Sequence, residues 1–134
     1  MTAITNVEGI GEAYGAKLAA AGIATQEALL EAGASRSGRS QIAKDTEISD
    51  TLILKWVNRA DLSRIKGIST QYADLLEASG VDTVPELAQR NAENLLARMV
   101  EVNDDNALVR QLPTLGKVED WISQAKSLPR VITH

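Results

Sequence analysis

Val7-Glu8-Gly9-Ile10-Gly11 and Ile65-Lys66-Gly67-Ile68-Ser69 are the two stretches on which the fold turns. Aligned without gaps at an offset of 58, the likeness runs from Val7 to Leu29 and from Ile65 to Leu87. Gly9 falls on Gly67, Ile10 on Ile68, Tyr14 on Tyr72, Leu18 on Leu76, Gly22 on Gly80, Thr25 on Thr83 and Leu29 on Leu87. Further on, Leu54-Lys55-Trp56-Val57 resembles Val118-Glu119-Asp120-Trp121-Ile122, with the offset grown to 65. Every Tyr and Trp of the chain thus belongs to a repeat-related pair, Tyr14 with Tyr72 and Trp56 with Trp121. Self-similarity of this kind means two copies of one structural unit.

Within each copy, glycine punctuates short helices. Glu12 to Ala21 places Tyr14, Leu18 and Ala21 on one face before Gly22, which stands where a left-handed cap is usual. Thr25 opens a second short helix that Gly33 ends. Thr70 to Ser79 repeats the pattern before Gly80, and Thr83-Val84-Pro85-Glu86 reads as a capping box with proline in the first turn. Ser35 to Ser40 reads as a polar loop leading to a short helix around Gln41 to Asp45. Ser49 then caps a longer helix over residues 50 to 63, with Leu52, Ile53, Trp56, Val57 and Ala60 as its apolar stripe. Glu93 to Glu101, Asn106 to Leu112 and Leu115 to Leu128 also read as helices. No segment alternates apolar and polar residues between hairpin turns, so the expected fold is all-α, without a sheet.

The expected organisation is one globular domain, residues 1–134, made of two pseudo-repeated helical units. Residues 1–48 form the first, and residues 49–134 form the second with its lead helix and a C-terminal closing helix. The helix around Trp121 resembles the lead helix but has no glycine turn after it. It is expected to dock beside Gly9, closing the pseudo-symmetry and bringing the chain ends together.

A chain of 134 residues can bury a core without disulfides or metals. Lys plus Arg number 14 against 18 Asp plus Glu, a formal charge of −4, which argues against a surface that is basic all over. Any contact with nucleic acid must be local. There is no cysteine, and the one histidine is His134, which removes thiol catalysis, Cys/His zinc sites and an internal histidine base. Ser35, Ser37 and Ser40 near Lys44 come without an oxyanion-hole motif. Glu101, Asp104 and Asp105 lack the glycine and distal glutamate of a calcium loop. No enzymatic activity, cofactor or metal is therefore expected. The first residues carry no basic region, and no apolar run approaches the roughly 18 residues needed to cross a bilayer, so a cytoplasmic protein without membrane contact is expected.

The order apolar, any residue, Gly, apolar, Gly, followed by a helix that closes at Gly, matches the helix-hairpin-helix pattern. Its spacing has a physical basis. Glycine permits a positive φ at a tight turn, the next isoleucine fills the gap between helices, and the second small residue exposes the amides that open the following helix. Those amides and the positive end of the helix dipole suit a phosphate oxygen. Read over nearly its full length, the chain resembles the domain of unknown function 4332 family, tandem helix-hairpin-helix proteins. The residues that carry the likeness are the hairpin with Ile68, its lead helix Leu54 to Leu62, Leu95 to Asn103, and the terminal Val118-Glu119-Asp120-Trp121-Ile122. The resemblance implies an all-helical fold of the SAM-like, helix-hairpin-helix type and supplies no function. The wider superfamily implies non-specific DNA binding, often by paired hairpins straddling a groove.

Charge separates the two hairpins. Glu8 and Glu12 stand where a phosphate would sit in the first, so Gly9, Ile10 and Gly11 are read as structural. The second offers Lys66, Gly67 and Ile68, with the Ser69 and Thr70 hydroxyls as donors, although Ser69 in place of a second glycine narrows the backbone's approach to a ligand. Residues 36 to 66 hold seven basic residues, Arg39, Arg59 and Arg64 among them, against four acidic ones, and are read as support for that hairpin. Two readings stay open. One is a non-enzymatic module that binds DNA or another phosphate backbone weakly and without sequence preference through hairpin two. The other is a protein-interaction or scaffold module that kept the fold and lost nucleic-acid binding. The oligomeric state is not legible.

Overall fold

In the computed structural model, which describes residues 3–7 and 9–133, a 3-10 turn at Ile4–Asn6 precedes eight α-helices. They are α1 (Glu12–Ala20), α2 (Gln26–Ala32), α3 (Arg36–Thr46), α4 (Asp50–Leu62), α5 (Thr70–Ala78), α6 (Val84–Ala88), α7 (Ala92–Asn106) and α8 (Leu115–Ser127). Among the described residues there is no strand, only an isolated bridge between Ala3 and Thr25, and the fold is all-helical as expected. No described helix is long and apolar enough to cross a membrane.

The two glycine-punctuated segments close their first helices with the same pair of backbone bonds. At the end of α1 the backbone turns left-handed at Gly22, φ +89°, where the Gly22 amide donates to Ala19 O at 3.0 Å and the Ile23 amide to Leu18 O at 2.8 Å. At the end of α5 Gly80 has φ +94°, and its amide donates to Glu77 O at 3.1 Å while Val81 reaches Leu76 O at 2.9 Å. This paired closure satisfies carbonyls that a helix end leaves orphaned. Upstream, Gly9 and Gly67 are left-handed at φ +86° and +96°, as the sequence predicts.

The chain divides into two compact units, residues 1–61 with 130–134 and residues 62–129. This boundary differs from the expected one at 48/49. α4, read as the lead helix of the second unit, lies in the first apart from Leu62. Trp56 on α4 packs on Gly9 and stacks obliquely on Tyr14 of α1, with ring centroids 5.1 Å apart and planes at 59°. Trp121 on α8 does the same with Gly67 and with Tyr72 of α5, at 5.3 Å and 55°. The expected docking of Trp121 beside Gly9 is thus replaced by its packing on the glycine turn of its own unit. Each tryptophan helix seals the turn that precedes it in sequence.

Each unit buries its own apolar cluster. In the first, Ile10, Leu18, Leu29, Ile53, Trp56 and Val57 form the centre, joined by Ile4 and by Ile132 near the C-terminus. Both ends of the described chain therefore enter one core, through Ile132 rather than through the closing helix. In the second, Leu75, Leu76, Leu87, Leu95, Met99 and Trp121 are all fully buried.

Three local readings change. Ser35 to Ser40 is not a loop: the Ser35 hydroxyl accepts the Gly38 amide at 3.0 Å and starts α3 five residues before the helix expected around Gln41. Asn106 to Leu112 is not helical after Asn106. α7 stops because Ala107 is left-handed at φ 49° and the Asn103 side chain brackets Val109, accepting its amide at 2.9 Å and donating to its carbonyl at 3.2 Å. In the capping box Thr83 donates its hydroxyl to Glu86 Oε1 at 3.1 Å, so the two side chains pair with each other and Thr83 caps no amide.

Gly38 explains how α3 lies so close to α2. A Cβ at this position would run into the carbonyl oxygen of Ala32, which is backbone and yields only if a helix moves. Gly38→Ala should destabilise the first unit by about 1–3 kcal/mol, the usual cost of overpacking. Urea unfolding of the full chain checks this, and an unchanged midpoint would mean that α2 slides freely.

Candidate functional site

The turn before α5 is built from both sides. Ile65 donates its amide to Leu62 O at 3.1 Å, closing the exit from α4. Gly67 follows, and a Cβ there would stand 3.2 Å from Nε1 of Trp121, so glycine meets both a left-handed backbone and a close aromatic neighbour. Ile68, half-buried, packs against the second core. Ser69 is extended at φ −75°, ψ 171°, and its hydroxyl accepts the Tyr72 amide at 3.3 Å. Serine in place of the second glycine therefore caps α5 in an ordinary conformation. The amides of Thr70 and Gln71 open the helix with no intrahelical acceptor, beside the exposed Thr70 side chain.

Lys66 is held by its backbone and free at its tip. Gln124 on α8 accepts the Lys66 amide at 2.9 Å through Oε1 and donates through Nε2 to the Lys66 carbonyl at 3.0 Å, while Asp120 Oδ2 accepts from the same Nε2 at 2.9 Å. The Lys66 amide is thus consumed, and what the residue offers outward is its exposed ammonium. A second cation arrives from far along the chain. Lys117 Nζ lies 5.8 Å from the centroid of the Tyr72 ring, over the first turn of α5, within cation–π range. Sequence reasoning missed Lys117 and Gln124. The signal was present: once Trp121 is paired with Tyr72, Lys117 lies one turn before it on the same face of α8.

The structure thus brings Lys66, Gly67, Ile68, Ser69 and Thr70 together and leaves the three supporting arginines elsewhere. Arg64, half-buried, donates to the Pro129 carbonyl at 2.7 Å. Arg59 is half-buried on α4 of the first unit. Arg39 is a correction: it is 6% exposed, and its guanidinium donates to the carbonyls of Gly33 at 2.9 Å, Ala34 at 3.2 Å and Thr133 at 2.8 Å. Burial, followed by repulsion from Arg36, pushes its pKa below the ordinary arginine value. A guanidinium spent on three backbone oxygens is a structural strut and presents no free face to a phosphate. The basic stretch of residues 36 to 66 is likewise divided between the two units.

In the first unit the corresponding turn lacks this equipment. Gly11 precedes α1 without a side-chain cap, Glu12 puts a carboxylate in the first turn, and Glu8 lies outside the described residues. A negative side chain there already answers the positive end of the helix dipole. Gly9, Ile10 and Gly11 form a packing corner: Ile10 is buried, and a Cβ at Gly9 would stand 3.1 Å from Nε1 of Trp56.

The described chain is all-helical, with two units in each of which a tryptophan seals a glycine turn. A sequence model of the family described as Domain of unknown function (DUF4332) matches residues 8–128, nearly the whole chain, and the protein belongs to that family. No curated protein and no solved structure matches it.

Proposed function

We propose that this protein is a non-enzymatic helix-hairpin-helix module that contacts a phosphate backbone, DNA being the first candidate, through hairpin two. The observation that carries the reading is that one helix start combines the first-turn amides of α5, the Ser69 and Thr70 hydroxyls, the exposed Lys66 just before it and Lys117 over Tyr72. Amides and point charges of this kind recognise phosphate oxygens and read no base edge, so binding is independent of sequence. The net charge of −4 keeps it weak. The second reading, a protein-interaction module without nucleic-acid binding, is favoured by Glu12 in the first turn of α1, which leaves only one hairpin equipped for an anion.

Titration of the full chain with labelled duplex DNA at several salt concentrations separates the two. The expected dissociation constant is on the order of 10⁻⁴ to 10⁻⁶ M at physiological salt, and each phosphate neutralised adds about −0.9 to the slope of log affinity against log salt. A single hairpin with two lysines should give a slope near −2 on that rule, roughly. Lys66→Glu should remove most of the binding with helicity unchanged, because the Lys66 side chain is exposed. Binding that is absent at low salt, or indifferent to Lys66→Glu, would move the assignment to the protein-interaction module.

A further inference from the structure

Carried three residues past Leu29 and Leu87, the repeat offset sets Arg90, two residues beyond the end of α6, against Ala32, the last residue of α2, and the two units differ there. In the second, Arg90 reaches back to the end of α5: its Nη1 lies 3.5 Å from the Ser79 carbonyl, and a Cβ built on Gly80 would stand 3.9 Å from it. An arginine thus covers the C-terminus of α5, where the helix dipole leaves partial negative charge. In the first, Ala21 and Gly22 occupy the same places at the end of α1, but Ala32 contributes only a methyl group. A Cβ built on Gly22 meets nothing within 4 Å.

The space left open is a groove of about 570 Å³ floored by Gly22, Ala28, Ala32 and Ile42. Its only charged lining residues are Glu31 and Asp45, both exposed, with Asp45 Oδ1 also accepting from Gln41 Nε2 at 2.8 Å. Apolar floor, helix C-terminus and two carboxylates make up the environment of a long cationic side chain: methylenes on the floor, head group at the rim. Guanidinium fits better than ammonium, because its planar fork can serve a carbonyl and a carboxylate at once. In the second unit the protein sets an arginine of its own against the helix end, and the first unit has no such residue at the corresponding place.

We propose that the groove between α1, α2 and α3 is a docking site for an arginine side chain presented by a partner protein, the intermolecular counterpart of Arg90. The site is independent of hairpin two. The test is an amide-resolved NMR titration of the full chain with three blocked tripeptides, Gly-Arg-Gly, Gly-Lys-Gly and Gly-citrulline-Gly. The arginine peptide should shift the amides of Gly22, Ala32, Gly38 and Ile42. Citrulline, which keeps the shape and loses the charge, should bind on the order of tenfold more weakly, the difference a charge-assisted hydrogen bond makes, and lysine should fall between. Ala32→Arg should fill the groove from within, abolish those shifts and raise the melting temperature. Glu31→Gln with Asp45→Asn should weaken binding on exposed positions, so the proposal stays testable if Ala32→Arg fails to fold. Lys66→Glu should leave arginine binding unchanged, which separates this outcome from that of the DNA titration. Shifts confined to other surfaces, equal binding of the citrulline peptide, or full binding by Ala32→Arg or by the Glu31/Asp45 variant would overturn the proposal.

Discussion

Truncation after Pro113 should abolish cooperative unfolding. The deletion removes α8, and with it Val118, Trp121, Ile122 and Ala125, all buried in the core of the second unit. It also removes Ile132 and Thr133, which close the first unit from the other end of the sequence: Ile132 is 1% exposed in that unit's core, and the Thr133 amide donates to Ala34 O at 2.7 Å. Trp121→Ala alone should cost about 3–5 kcal/mol, the range for a large aromatic removed from a core. Single domains are stable by about 5–15 kcal/mol, so loss of a whole docked helix exceeds the margin. Circular dichroism during heating is the measurement. The truncated chain should lose ellipticity gradually without a sigmoidal step, whereas the Trp121→Ala chain should keep a step at lower temperature. A sharp transition in the truncated chain would mean that α8 is dispensable to the second unit.

The repeat was legible because its determinants are local and were kept in both copies. A glycine that must be left-handed, a Schellman glycine thirteen residues on and a tyrosine in the first turn of a helix are each set by short-range backbone geometry. The partner of each tryptophan helix was not legible in the same way. α4 runs straight into the Gly67 turn, and chain adjacency suggested that the two pack together, but adjacency fixes the path of the backbone and leaves open which face is buried where. Trp56 and Trp121 hold the discriminating information, since each copy of the repeat carries one glycine turn and one tryptophan in that order. Lys117 and Gln124 escaped notice for the same reason: their place at the candidate site depends on the docking of α8 on α5, and Lys66 gives no local sign of either. Asn103 illustrates the opposite scale. A single side chain bonded to both backbone groups of Val109 ended a helix that propensity would have resumed at Asn106.

Arg39 is where sequence and structure part most sharply, and the difference can be measured. Three serines, two arginines and a glycine, Ser35 to Ser40, read as a polar loop on the surface; the structure turns one of those arginines inward, because the oxygens it serves come from a helix end and a C-terminal segment brought together only by folding. Gly33 and Ala34 follow α2, and Thr133 lies 94 residues away. Hydrogen bonds to a charged donor contribute about 1.5–3 kcal/mol each, and with non-additivity Arg39→Met should destabilise the chain by roughly 3–5 kcal/mol. Arg39→Lys should recover only part of this, since one ammonium cannot reproduce the planar fork. If hairpin two binds DNA as proposed, Arg39→Met under conditions where it is still folded should match the parent in affinity and salt slope, because a guanidinium bonded to three carbonyls neutralises no phosphate. Loss of stability with an unchanged slope marks a strut. Retained stability with a slope shallower by about one phosphate, roughly 0.9, would show instead that Arg39 swings out to the ligand and that its buried pose is not the one that binds.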